Sequence, residues 1–147
     1  MKILVVGGAG YIGSHMIKRF QNTDHKIDVL DNLSTGFKEN SQNYKLHICD
    51  LSNKEQVHKI LKENKYEMVM HFASSINVGE SYDHPMKYYE NNVINTLNLL
   101  ECMIDLKILN FIFSSTAAVY GEPESIPIKE AQNLSPINPY GKTKSVV

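Results

Sequence analysis

Tyr140 and Lys144 stand four residues apart, the spacing that puts two side chains on one face of a helix. Such a pair can move protons. A phenol with its ordinary pKa near ~10 is a poor base at neutral pH, but a neighbouring ammonium favours the phenolate. Lowering the phenol by about 3 units needs roughly 4 kcal/mol of differential stabilisation, which close cations in a partly dry site can supply. Upstream, Ser114, Ser115 and Thr116 crowd three hydroxyls at the end of an apolar run. In open α/β sheets ligands bind at the carboxyl ends of strands. A hydroxyl there can hold a substrate oxygen while the tyrosine takes its proton.

The second chemistry-bearing stretch lies near the amino terminus. Gly7-Gly8-Ala9-Gly10-Tyr11-Ile12-Gly13 follows the apolar run Ile3-Leu4-Val5-Val6. Glycines between a strand and a helix permit a tight turn, close approach of the backbone to a pyrophosphate, and close helix–strand packing. Exposed N–H groups at the helix start add donors and the positive end of the helix dipole. The spacing is G-x-x-G-x-x-G rather than G-x-G-x-x-G. Asp31 closes the next apolar run, where an acid can accept from both ribose hydroxyls and repels a 2′-phosphate. The pattern therefore specifies NAD rather than NADP.

These residues need a scaffold of strands and helices. Short apolar runs predict strands at Ile3–Val6, Ile27–Asp31, Lys45–Cys49, Met68–Phe72 and within Ile108–Ser114. A helix over Tyr11–Gln21 would carry Ile12, Met16, Ile17 and Phe20 on one side. A second, over Asn53–Asn64, has Val57, Ile60 and Leu61 at helical spacing, with Ser52 or Asn53 as its cap. The longest helical candidate runs from Pro85 to about Leu106, with Val93, Leu97, Leu100 and Ile104 among its apolar positions. Gly121 to Pro139 holds Pro123, Pro127, Pro136 and Pro139 and reads as loop. A final helix begins near Tyr140 and stops with the chain after about two turns. Strands alternating with helices predict a Rossmann-type α/β domain, a doubly wound parallel sheet with helices on both faces.

At 147 residues the chain fits one domain with a real core. Its 21% charged residues and net charge of −1 show no basic excess for a nucleic-acid partner. No stretch approaches the roughly 20 apolar residues of a membrane span. The opening apolar run is too short for a signal peptide. Cys49 and Cys102 are isolated and read as reduced, buried thiols, so a cytoplasmic protein is expected. Six histidines show no ligand spacing and no metal is expected. His71 reads as structural, and Met68, Met70 and Met103 as core. Tyr88 and Tyr89 read as helix packing rather than as part of a sugar site.

Together these residues resemble the extended short-chain dehydrogenase/reductase family, and within it the sugar-nucleotide epimerases. The matching stretches are Gly7 to His15, Asp31-Asn32-Leu33-Ser34, His71-Phe72-Ala73, Val78-Gly79-Glu80-Ser81 and Tyr88 to Val93. Phe113 to Thr116, Val119-Tyr120-Gly121 and Pro139 to Lys144 complete them. The first and last are shared across the superfamily, whereas Val78 to Val93 and Ser114 to Gly121 point to the epimerases. The resemblance implies NAD-dependent epimerisation at C4 of a UDP-hexose. Tyr140 would take the proton from the sugar 4-OH as hydride leaves C4, and a transient 4-keto sugar would turn over in the site. Thr116 takes the position of the catalytic hydroxyl, and Lys144 supports both Tyr140 and the cofactor. The NAD site would be lined by Gly7, Gly10, Tyr11, Ile12, Gly13, Asp31, Asn32 and Ser34. Asp50 and Leu51, near the adenine, and Phe72, Ala73, Ser74 and Asn91 would complete it. A UDP-sugar substrate and a homodimer, formed through the long helix and the last helix, are also implied.

Three departures accompany the likeness. Val6 replaces a threonine before the glycine turn, and Ile76 falls where several such epimerases carry a lysine. Family members are also much longer, so the sheet's last strands and the substrate-binding domain are expected to lie outside these residues, leaving little activity in this chain alone. Two alternatives stand beside the epimerase reading. One is another sugar-nucleotide enzyme, acting on an N-acetylated hexose or performing a dehydration. Dehydratases place an Asp-Glu pair after the strand-end threonine, and Ala117-Ala118 here argues against elimination. The other is a nucleotide-binding fragment that turns nothing over.

Overall fold

The computed structural model describes residues 1–147 in two compact units. One comprises Met1–Ser74 and Leu97–Ser114, the other Ser75–Thr96 and Ser115–Val147.

In the first unit, strand β1 (Lys2–Val6) sends Ile3 and Val5 to one core and Leu4 and Val6 to another. All four are buried, as alternation on a doubly covered strand requires. Each such side chain contributes about 1.5–3 kcal/mol on removal from water. Four further strands pair in parallel: β2 (Lys26–Asp31), β3 (Lys45–Ile48), β4 (Met68–His71) and β5 (Asn110–Phe113). The sheet order is β3-β2-β1-β4-β5, so the order reverses between β1 and β4. Helix α1 (Tyr11–Arg19) covers one face through Ile17. Helix α2 (Lys54–Asn64) covers the other through Val57, Ile60 and Leu61. Leu99, Cys102 and Met103 join that second core. The Asn53 side chain caps α2 by accepting the Gln56 N–H at 3.1 Å, and Lys65 ends it in a left-handed conformation. This is the Rossmann-type sheet expected, with Cys49 and Cys102 buried as free thiols.

The second unit is built from helices and turns. Asn77 caps α3 (Val78–Asp83) by accepting the Glu80 N–H at 3.0 Å. His84, in a non-helical conformation, separates α3 from α4 (Pro85–Tyr88). A π-helical turn, Tyr89–Ile94, leads on to α5 (Asn95–Asp105), which from Leu97 onward belongs to the first unit. Thr116 opens a 3₁₀ turn, Ala117–Tyr120. Asn138 caps α6 (Pro139–Val146), its side chain accepting the Gly141 N–H at 2.7 Å. The stretch 121–138 contains no helix or strand.

Two expectations need correction. The helix expected from Pro85 to about Leu106 forms as α4, a π turn and α5 in unbroken succession, but the π turn displaces its expected apolar face, and α3 ahead of it was unforeseen. A period of 3.6 assumes uniform winding, and the wider π turn rotates the later residues. Leu97 and Ile104 are therefore exposed while Leu99, Cys102 and Met103 are buried. On α1, Ile12 is exposed rather than packed with Ile17. Five positions separate them, about 140° around the helix. No helix is long and apolar enough to cross a membrane.

Candidate active site

At the end of β1, Gly7 has φ of +79°, a conformation costly to any residue with a Cβ. A Cβ there would stand 2.6 Å from the Ala73 nitrogen. One on Gly13 would stand 2.2 Å from the Gly7 carbonyl oxygen. The turn is thus packed backbone on backbone, against the end of β4 on one side and the start of α1 on the other. Helix α1 has neither a capping side chain nor an acid in its first turn. The leading N–H groups at Tyr11 and Ile12 thus have no capping side chain, the arrangement that suits an anion. Gly10 has only the Gly7 carbonyl within 4 Å of where its Cβ would stand.

Asp31 closes β2 and is buried. Its Oδ2 accepts the Ala9 N–H at 3.0 Å and its Oδ1 accepts the Leu33 N–H at 2.9 Å. Each oxygen keeps a second lone pair for a ribose hydroxyl. Beside it, the Asn32 amide donates to Asp50 Oδ2 at 2.6 Å and accepts the Ser34 N–H at 3.0 Å. Hydrogen bonds from Ser52 and from Asn32 hold the Asp50 carboxyl below its ordinary pKa. Leu51 is buried, and Asn98 donates to its carbonyl at 3.2 Å. The Phe72 N–H donates to the Val6 carbonyl at 2.8 Å, and Ser74 is half-buried. An uncapped helix start, a turn without side chains above it and one fixed acid at the next strand end fit a dinucleotide with free ribose hydroxyls.

The second unit holds the proton-transfer candidates. Tyr140 and Lys144 are both buried on α6. Burial pushes the Lys144 ammonium down to about 8, still largely charged at neutral pH. A Cβ on Gly141 would stand 2.7 Å from the Ala118 carbonyl oxygen, so the first turn of α6 lies directly on the 3₁₀ turn that Thr116 opens. Thr116 Oγ1 accepts the Ala118 N–H at 3.2 Å, leaving its own proton to donate. Thr116 and Tyr140, distant in sequence, thereby lie on two touching turns, with Lys144 on the next turn of α6.

Asn91, also in this unit, donates its amide to Asn92 Oδ1 at 3.0 Å. Sequence reasoning passed over Asn92, which is fully buried. Its Oδ1 accepts the Ser75 N–H at 2.8 Å, and its Nδ2 donates to the Ser75 carbonyl at 3.0 Å and to Thr143 Oγ1 at 3.1 Å. Thr143 in turn donates to the Tyr140 carbonyl at 2.7 Å. The only signal in the sequence was a pair of adjacent asparagines inside an otherwise helical run.

A parallel sheet reversing its order at β1 and β4, with a glycine cradle and an acid at successive strand ends, defines a Rossmann-type dinucleotide-binding protein. More particularly, residues 3–147 match the NAD dependent epimerase/dehydratase family, and the chain belongs to it. It is 44% identical to a UDP-glucose 4-epimerase of Lactobacillus helveticus, over 100% of this chain and 45% of that protein. The solved UDP-Glc/GlcNAc 4-epimerase of Campylobacter jejuni superposes with a TM-score of 0.95 at 47% identity, over 98% of this chain and 46% of the other. A UDP-glucose 4-epimerase of Brucella ovis, solved in complex with NAD, superposes with a TM-score of 0.96 at 41% identity, over 99% and 45%. This chain spans less than half the length of these relatives.

Proposed function

We propose that this chain is the cofactor-binding, base-bearing part of a longer enzyme that epimerises C4 of a UDP-hexose, interconverting UDP-glucose and UDP-galactose through a 4-keto sugar. The reading rests chiefly on the packing of α6 against the Thr116 turn at Gly141, in a chain of this family. Gly7, Gly10, Tyr11, Ile12 and Gly13 would hold the pyrophosphate of NAD. Asp31, Asn32 and Ser34 would take the ribose, and Asp50 and Leu51 the adenine. Phe72, Ala73, Ser74, Asn91 and Lys144 would serve the rest of the molecule. Bound NAD supplies a hydride acceptor and donor at the sugar carbon.

The chain's own residues handle the proton. Thr116 donates its hydroxyl hydrogen to the sugar 4-oxygen and holds it in reach of Tyr140. Tyr140, favoured as phenolate by the Lys144 ammonium, accepts the 4-OH proton and later returns it. Uridine and sugar contacts come from residues beyond this chain, so turnover needs the longer protein. The 47% identity to an enzyme named for both UDP-Glc and GlcNAc supports an N-acetylated hexose as a second substrate. The exposed Leu97 and Ile104 support pairing of two copies.

In the longer protein, Tyr140→Phe is expected to cut conversion of UDP-galactose by about 10²–10⁴-fold while NAD stays bound. Turnover that survives the change would remove Tyr140 from the role of base.

A further inference from the structure

Tyr88 is the largest fully buried side chain of the molecule, and its ring meets that of Tyr140 edge-on, with centroids 6.5 Å apart and planes at 81°. Two phenols in contact compete for one negative charge, because ionising either disfavours ionising the other. Their surroundings differ. Tyr88 Oη lies 2.6 Å from the Asn77 carbonyl and 2.8 Å from Glu80 Oε2. Both are acceptors, so the hydroxyl is committed as a donor. Lys87 donates to the other Glu80 oxygen at 2.5 Å. Hydrogen bonds from Lys87 and Tyr88 hold the Glu80 carboxyl below its ordinary pKa, so Glu80 is charged at neutral pH. Burial and that carboxylate push Tyr88 up to about 12. The ionisable groups facing the pair are Glu80, Lys87, His84 and Tyr140, with Lys144 on the same helix as Tyr140.

We propose that Tyr88 is a positioning residue for Tyr140: its anchored ring braces the phenol edge-on, and its hydroxyl, committed to Glu80 and the Asn77 carbonyl, stays protonated so that the pair's negative charge falls on Tyr140. The inference rests on Tyr140 being the base and adds the device that keeps its neighbour from competing. Glu80, capped in place at the start of α3, acts through Tyr88 and not on the sugar.

Labelling tyrosine Cζ with carbon-13 in the 147-residue chain reports each phenol separately by NMR. Tyr88→Phe and Tyr140→Phe assign the two signals. Tyr140 is expected to ionise at lower pH than Tyr88. Glu80→Gln is expected to lower the Tyr88 midpoint by about 1 unit and narrow the gap. Lys87→Met, at an exposed side chain, frees the carboxylate from its ammonium and is expected to widen it. Tyr88→Leu, which removes the bracing ring, is expected to shift the Tyr140 Cζ signal, which a Tyr88 of no consequence to its neighbour would leave in place. Tyr88 ionising with or before Tyr140 overturns the proposal, as does a gap that neither variant alters. Should Glu80→Gln fail to fold, Lys87→Met decides alone: a wider gap supports, an unchanged or narrower one overturns. Turnover surviving Tyr140→Phe in the longer protein would defeat the base assignment yet leave this order of ionisation intact, so the two failures are distinguishable.

Discussion

The carboxylate of Asp31 accepts N–H groups from Ala9 and Leu33, so the acid that spacing reserves for a ribose also braces the glycine turn. The expectation of a ribose role needs only a strand end; the brace depends on how the turn folds back. A second buried carboxylate was not legible. The Tyr66 hydroxyl donates to Asp28 at 2.7 Å, His47 Nε2 lies 3.0 Å from the Tyr66 oxygen, and Lys2 Nζ lies 3.5 Å from Asp28. These residues come from β1, β2, β3 and the approach to β4, and only strand register assembles them. Burial, and then the charge of Lys45, lowers the pKa of His47. The unfolded chain takes up that proton near pH ~6.5 while the folded chain resists it. The contribution to stability is therefore complete above that pH and is lost as pH falls through the lower folded value. Urea unfolding measured between about pH 7 and 5 should show this loss, and His47→Gln should flatten it. A slope unchanged in the variant would assign the loss to other groups.

Among the elements, those carried by local signals were readable. β1 ends where apolar residues give way to glycine, α2 begins at a capping asparagine, and α6 begins at a proline after another. The π turn carries no such signal, because its consequence is to bury Asn92, a polar residue that periodicity assigns to no face. Its amide holds both backbone groups of Ser75 and, through Thr143, the turn of α6 that bears Tyr140. Asn92→Leu is expected to cost about 2–4 kcal/mol in chemical denaturation, because it strands several buried polar groups. Thr143→Ser, which keeps the hydroxyl, should cost far less. A leucine variant as stable as the parent would mean that α6 is held by its packing alone.

For the whole molecule, alternating strands and helices made the fold class plain from sequence. The division into two units was hidden, since 75–96 and 115–147 are distant in sequence and meet only through contacts such as Tyr88 with Tyr140. The substrate side is equally illegible in a chain that spans less than half of its relatives. The cofactor reading can be put to the chain itself. The most direct measurement is calorimetric titration of NAD and of NADP into the 147-residue chain and its Asp31→Ala variant. The account predicts that the chain binds NAD in preference to NADP, and that the variant binds NAD more weakly and loses the preference. A chain that binds neither nucleotide, or a variant with unchanged affinities for both, would contradict it.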